Sequence, residues 1–243
     1  MKEIIKQIPA LGGIARRAYG RLVARRRDPE PFPGSAEYWE KRYAADGHSG
    51  VGSYGRFAEF KADILNGFVA RRGVESVIEL GCGDGNQLSL ASYPTYLGLD
   101  VSATAIAKCR EIFESDESKS FRLTSDYGGE TASLTLSLDV IYHLVEDDVF
   151  EEHMRMLFAA SERYVIIYAS DSDDNRGYEG THVRHRKFTD WISRNLPGWA
   201  LVEHIPNRYP YRGDYLTGSF AEFFIYERAP GMRPPDSPEP SSE

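Results

Sequence analysis

The sequence predicts an α/β protein built on a seven-stranded, mainly parallel sheet with an antiparallel edge strand and helices on both faces. Three observations carry this. From Glu75 onward, short apolar β-rich runs alternate with helical stretches, a pattern that implies right-handed crossovers between parallel strands. A glycine-rich turn follows the first of these runs directly. The last two runs come close together with no clear helix between them, as an antiparallel pair at the edge requires.

The elements follow in order. Residues 3–27 place Ile4, Ile5, Ile8, Leu11, Ile14, Ala18, Leu22 and Val23 three and four apart, one face of a basic amphipathic helix over 1–27 that Pro9 and Gly12–Gly13 interrupt. Residues 28–34 hold three prolines and read as a semi-rigid linker. The catalytic domain is expected over 35–228, with 35–73 as its N-terminal cap: Ser35 as helix N-cap, a helix carrying Tyr38, Trp39 and Tyr43, the glycine-rich stretch 47–55, and a helix over about 56–72 ending at Gly73. Strands are expected at 75–80, 95–100, 119–124, 133–140, 163–169, 199–205 and 219–226, and helices at about 86–91, 102–115, 146–160 and 186–195. Residues 229–243, rich in Pro, Ser and Glu, read as a disordered tail.

Charge and composition narrow the function. The chain carries −8 overall, yet residues 1–27 hold eight basic residues against Glu3 alone, a net +7, so the remaining residues carry −15. An acidic body argues against a nucleic-acid partner, whose phosphates need clustered Lys and Arg. The basic segment fits instead a peripheral contact with an anionic membrane. No apolar run approaches the ~20 residues that span a bilayer, no signal peptide is evident, and two cysteines, Cys82 and Cys109, are too few for a disulfide framework. The expected location is the cytoplasm.

The strongest local signal is Val77-Ile-Glu-Leu-Gly-Cys-Gly-Asp-Gly-Asn86. A buried strand runs into Gly81, Gly83 and Gly85, which turn sharply and let backbone approach a ligand. Glu79 stands two positions before the first glycine, where a carboxylate faces a cationic ligand rather than a pyrophosphate. Asp100 ends the next strand, placed to accept hydrogen bonds from two ribose hydroxyls. A dinucleotide site would want its third glycine at position 86, which is Asn86. Together these residues point to a nucleoside ligand.

Glu79-Leu-Gly-Cys-Gly-Asp-Gly85, Gly98-Leu-Asp-Val-Ser102 and Leu136-Ser-Leu-Asp-Val-Ile-Tyr-His-Leu144 resemble, in order, the motifs of the class I S-adenosylmethionine (SAM)-dependent methyltransferases, across about residues 36–228. The resemblance implies a Rossmann-like fold with SAM as cofactor. It implies that Glu79 and the 81–85 loop, Cys82 included, hold the methionine part, Asp100 with neighbouring Val101 the ribose, Ser125 or Asp126 the adenine amino group, and that Leu138 lines the methyl-donor region. The interval from Gly85 to Asp100 is short for this family and leaves only a brief first helix. The block from Tyr38 through Gly55 is similar to the family's capping segment, in which Trp39 and Tyr54 would close over the cofactor.

The methyl on a sulfonium is already activated, so the protein must align an acceptor and help a hydroxyl lose its proton. His143, after the fourth strand, is a candidate base or acceptor-positioner. His182 and His185 lie in the short basic patch 181–187, which reads either as recognition of an anionic acceptor or as a solvated helix entrance. Asp171-Ser-Asp-Asp-Asn175, with Asp139, resembles the acidic cluster with which some O-methyltransferases hold magnesium, but polar loops of this kind are commonly turns, and no metal is expected. The expected activity is O-methylation of a small-molecule or glycan acceptor; a non-catalytic SAM-binding scaffold and a protein methyltransferase are the alternatives.

Overall fold

The computed structural model describes residues 32–178 and 181–231. The described residues from Gly34 onward form one compact unit. The basic segment 1–27, most of the linker 28–34, and residues 232–243 of the tail lie outside the described residues.

Among the described residues the order is α1 (Ser35–Ala44), α2 (Gly55–Arg72), β1 (Val77–Leu80), β2 (Tyr96–Asp100), α3 (Ala103–Ile112), β3 (Lys119–Leu123), β4 (Ala132–Leu138), α4 (Asp147–Ala159), β5 (Ser161–Ala169), α5 (Phe188–Asn195), β6 (Trp199–Ile205) and β7 (Glu222–Arg228). The seven strands lie in the order β3-β2-β1-β4-β5-β7-β6. β1 to β5 pair in parallel. β7 runs antiparallel to both β5 and β6, so the β6–β7 pair makes the antiparallel edge. The chain winds outward in one direction from β1 and in the other from β4. The switch between them lies at the carboxyl ends of these two strands, where ligands of open α/β sheets bind.

Sequence explains the layers. Every residue of β1 and β2 is buried, as a parallel strand covered on both faces must be. α4 turns Phe150, Met154, Leu157 and Phe158 inward, at helical spacing, and each such burial contributes about 1.5–3 kcal/mol. α2 ends where expected, with Gly73 in the left-handed conformation at φ 62°.

Three expectations need correction. Ser35 is the first helical residue rather than the N-cap, which is Gly34; its hydroxyl instead donates to the His143 carbonyl at 2.8 Å and accepts from the Val145 amide at 3.1 Å. Residues 86–91 make only a 3-10 turn, Leu88–Leu90, because the stretch between Gly85 and Tyr96 must cross back to a parallel neighbour, a connection that leaves little room for a helix. The last strand begins at Glu222 rather than 219, since Ser219 pairs with the loop at Tyr209 and Tyr211.

Candidate functional site

The glycine-rich bend has the geometry its composition demands. Gly81, Gly83 and Gly85 have φ of 87°, 60° and 78°, the left-handed region that costs other residues strain. Their missing Cβ atoms also make room for protein. A Cβ on Gly81 would come within 2.5 Å of Val140 Cγ2, one on Gly83 within 2.4 Å of Ser49 Oγ, and one on Gly85 within 3.1 Å of Cys109 Sγ. The bend is thus wedged between the loop after β4, the cap and α3. Cys82 and Cys109 are free and buried there; the adjoining Cys109 thiol, with burial, pushes the Cys82 pKa up.

Asp100 sits at the end of β2, 6% exposed. Its Oδ2 accepts the Gly83 amide at 2.9 Å and its Oδ1 the Ser102 amide at 2.9 Å. Burial raises its pKa, against these hydrogen bonds. Backbone donors, the Val101 amide included, hold the carboxylate in place and leave acceptor capacity for a hydroxyl. Glu79 is buried too, accepting the Tyr96 hydroxyl at 2.7 Å. Burial pushes its pKa from 4.5 up to about 7, with Asp100 adding to the rise and Tyr96 and Lys61 opposing it. Leu138 lies buried at the end of β4. Val101 is about half exposed, and Ser125 and Asp126 form an exposed turn after β3.

The cap closes on this bend through Tyr54, which the sequence singled out, and through Ser49, Asp84 and Glu40, which it did not. Asp84 Oδ2 accepts the Ser49 amide and the Tyr54 hydroxyl, each at 2.8 Å, while Ser49 Oγ accepts the Asp84 amide at 3.0 Å. Burial opposes ionisation of Asp84, but donors from Ser49, Tyr54 and Asn86 hold its pKa below the usual range. From α1, Glu40 accepts from Ser102 Oγ and Thr104 Oγ1 at 2.6 Å each, across the first turn of α3. Tyr54 therefore lies at the bend. Trp39 lies edge-on to His143 with ring centroids 4.9 Å apart and 5.7 Å from the Tyr43 ring.

Beyond β4 the chain turns through Asp139, a non-glycine residue at φ 60°. Its carboxylate takes Lys61 Nζ of α2 at 2.7 Å and the Tyr142 hydroxyl at 2.7 Å, and Lys61 is fully buried. The three candidate histidines meet around Tyr142. His143 stacks on His182 at 5.2 Å and touches Tyr142 at 4.6 Å, and Tyr142 lies 6.0 Å from His185. His143 Nδ1 donates to the His182 carbonyl at 3.0 Å. Burial holds the pKa of His143 down to about 4 and lowers those of His182 and His185. His185 also bonds Ser170 Oγ at 2.6 Å.

The basic patch is occupied by its own protein. Arg184 and Arg186 pair with Asp147 at 3.0 and 3.1 Å and donate to the Val145 and Leu144 carbonyls. The acidic stretch 171–175 likewise serves local structure: Asp171 accepts the Thr189 amide and hydroxyl, and Asp173 the Lys187 amide. Among the described residues no group of three or more His, Cys, Asp or Glu is arranged to hold a metal. No helix among them is long and apolar enough to cross a membrane.

A seven-stranded sheet in the order β3-β2-β1-β4-β5-β7-β6, parallel except at its antiparallel edge, is the Rossmann-like fold of the class I SAM-dependent methyltransferases. Solved structures bear the same architecture. The N-methyltransferase NodS from Bradyrhizobium japonicum, in complex with S-adenosyl-L-homocysteine (SAH), matches with a TM-score of 0.62 and 16% identity over 80% of this chain and 98% of that one. Magnesium protoporphyrin IX methyltransferase (ChlM) from Synechocystis PCC 6803 with bound SAM gives 0.58 and 15%, over 80% and 97%. An O-methyltransferase family protein from Burkholderia thailandensis gives 0.58 and 15%, over 91% and 71%. No protein-family model and no curated protein matches the chain.

Proposed function

We propose that the chain is a SAM-dependent methyltransferase acting on a hydroxyl of a small molecule or saccharide. The observation that carries this is the buried Asp100 carboxylate, tied to the Gly83 and Ser102 amides and neighbouring a second buried carboxylate, Glu79. Such clustered negative charge suits a cationic nucleoside and repels a pyrophosphate. Support also comes from NodS and ChlM, structures solved with SAH and SAM.

When bound, SAM supplies the activated methyl group. The chain's own part is to orient and desolvate. Asp100 would hold the ribose and Glu79 would offer charge to the cationic end. His143, its Nδ1–H given to a carbonyl, presents Nε2 as an acceptor. With a pKa near 4 it is too weak a base to take a proton at neutral pH, so it serves to position an acceptor hydroxyl by hydrogen bonding.

Calorimetry of SAM binding tests the reading. Asp100→Asn keeps the size of the side chain but removes the charge and one acceptor, and should weaken binding at least tenfold, in line with a lost charge-assisted hydrogen bond of about 1.5–3 kcal/mol. Unchanged affinity would remove Asp100, and with it the cofactor assignment.

A further inference from the structure

Resting on the methyltransferase reading, we infer that the acceptor is an uncharged, ring-bearing alcohol or phenol, held by an aromatic wall of Tyr142, Tyr178, Tyr211 and Phe220 rather than by the basic patch. The wall starts where β4 ends. Tyr142 gives its hydroxyl to Asp139, directly after the strand whose last residue is Leu138, and its ring meets Phe220 edge-on at 5.1 Å. Phe220 meets His185 at 4.7 Å and Tyr211 at 6.2 Å, and Tyr178 meets His185 at 4.7 Å. Ring-to-ring contacts thus run from Tyr142, buried just beyond β4, through Phe220 to Tyr211, which is 42% exposed.

The loop that carries Tyr211 and Phe220 is anchored. Asn207 Nδ2 donates to the Tyr168 hydroxyl at 2.6 Å and the Ala221 carbonyl at 2.7 Å. Arg56 of α2 donates to the Thr217 carbonyl at 2.6 Å and lies over the Tyr209 ring. Rings presented on a fixed support bind at low entropic cost.

Charge selects the occupant. The histidines beside the wall are neutral at pH 7, because burial lowers the pKa of His143, His182 and His185, and burial raises those of Tyr142 and Tyr178 so that both keep their protons. Among the nearby cations, Arg184 and Arg186 are turned onto Asp147 and the Leu144 and Val145 carbonyls, and Arg42, whose charge acts on His143 and His182, donates to the His48 carbonyl and the Tyr38 hydroxyl. An anionic ring beside Tyr142 would lose its hydration among cations that are already engaged.

Matched probes test this on the full chain, by saturation-transfer NMR with dissociation constants from titration, with and without saturating SAH. Catechol is compared with 3,4-dihydroxybenzoate, and methyl β-glucopyranoside with methyl β-glucuronide. In at least one pair the neutral member should bind about tenfold or more tightly than its anion, and which pair responds tells a phenol from a sugar. Tyr211→Ala, at an exposed position, should weaken the neutral probe about threefold to tenfold, the usual worth of one aromatic contact, with an unchanged melting temperature and SAH affinity. Anions binding as well as or better than their neutral partners would overturn the inference. So would absence of binding by both neutral probes at millimolar concentration, or Tyr211→Ala leaving the neutral affinity unchanged. SAH affinity is read separately, so a failure of the cofactor assignment shows there and not in the ring titrations.

Discussion

Replacing Glu79 by Gln should stabilise the protein, and increasingly so as pH rises. Glu79 is 5% exposed and accepts the Tyr96 hydroxyl; a Gln carbonyl oxygen can take that same bond. What the substitution removes is the cost of an ionised carboxylate in a buried place. The folded pKa is raised from 4.5 to about 7, so folding favours the protonated form. Below pH 4.5 both states are protonated and the two proteins should match. Between 4.5 and about 7 the unfolded chain ionises while the native one does not, and wild type loses stability continuously. Above about 7 the loss is complete, and 2.5 pK units correspond to about 3 kcal/mol. Urea titrations of wild type and Glu79→Gln at pH 4, 6 and 8 should therefore differ by about 0, 2 and 3 kcal/mol respectively, with Gln the more stable. A difference independent of pH, or a Gln variant less stable at pH 8, would refute the reasoning that burial governs this carboxylate. The same variant should bind SAM more weakly at pH 8, because the charge that costs stability is the one offered to the cationic ligand.

Two further tests concern the ties around the site. Gly83→Ala would put a methyl 2.4 Å from Ser49 Oγ at a φ of 60°; SAH affinity by calorimetry should fall, and Ser49→Gly added to it should restore part of the loss by clearing the overlap, whereas no restoration would mean that backbone strain alone is responsible. Lys61→Met leaves the Asp139 carboxylate, 11% exposed, without its ion partner and should cost about 3–5 kcal/mol in urea unfolding. Lys61→Met with Asp139→Asn should recover most of that, and a double variant as unstable as the single one would show that the ion pair is not what holds this turn.

How far each of these features was legible follows from how local it is. Gly81, Gly83, Gly85 and Asp100 could be read because a strand, a bend and the next strand end are consecutive events, each written in residue type. The sheet was legible for the same reason, apart from the helix expected at 86–91, where a short crossover overrode helical spacing. Asp84 stands within the motif itself, yet its partners Ser49 and Tyr54 lie 35 and 30 residues away, and Glu40 reaches Ser102 across 62. No local pattern records such pairings. Lys61 did leave a trace: it falls four residues after Phe57 and four before Leu65, both buried on α2, and a cation in phase with an apolar face requires a buried partner. The basic patch shows the converse. Arg184 and Arg186 were visible as charge, while Asp147, which takes both, lies almost forty residues earlier.

The cap ties the two halves of the site into one mechanical piece. Ser49 and Tyr54 grip Asp84 in the bend, Glu40 grips the start of α3 beside Asp100, and Ser35 grips the His143–Val145 turn, while Trp39 lies against the His143 ring. Three of these contacts leave from a single helix of ten residues, and a helix of that length moves as a unit. Ser49, beside Gly83, is joined to this helix through the Tyr43 hydroxyl, 3.0 Å from its Oγ, so lifting it loads the helix as well as the bend. Each neutral hydrogen bond involved is worth about 1 kcal/mol and those to carboxylates about 1.5–3, so the set resists opening far more than any one member does. His143 is held in place by the same helix whose Glu40 grips the start of α3 beside Asp100.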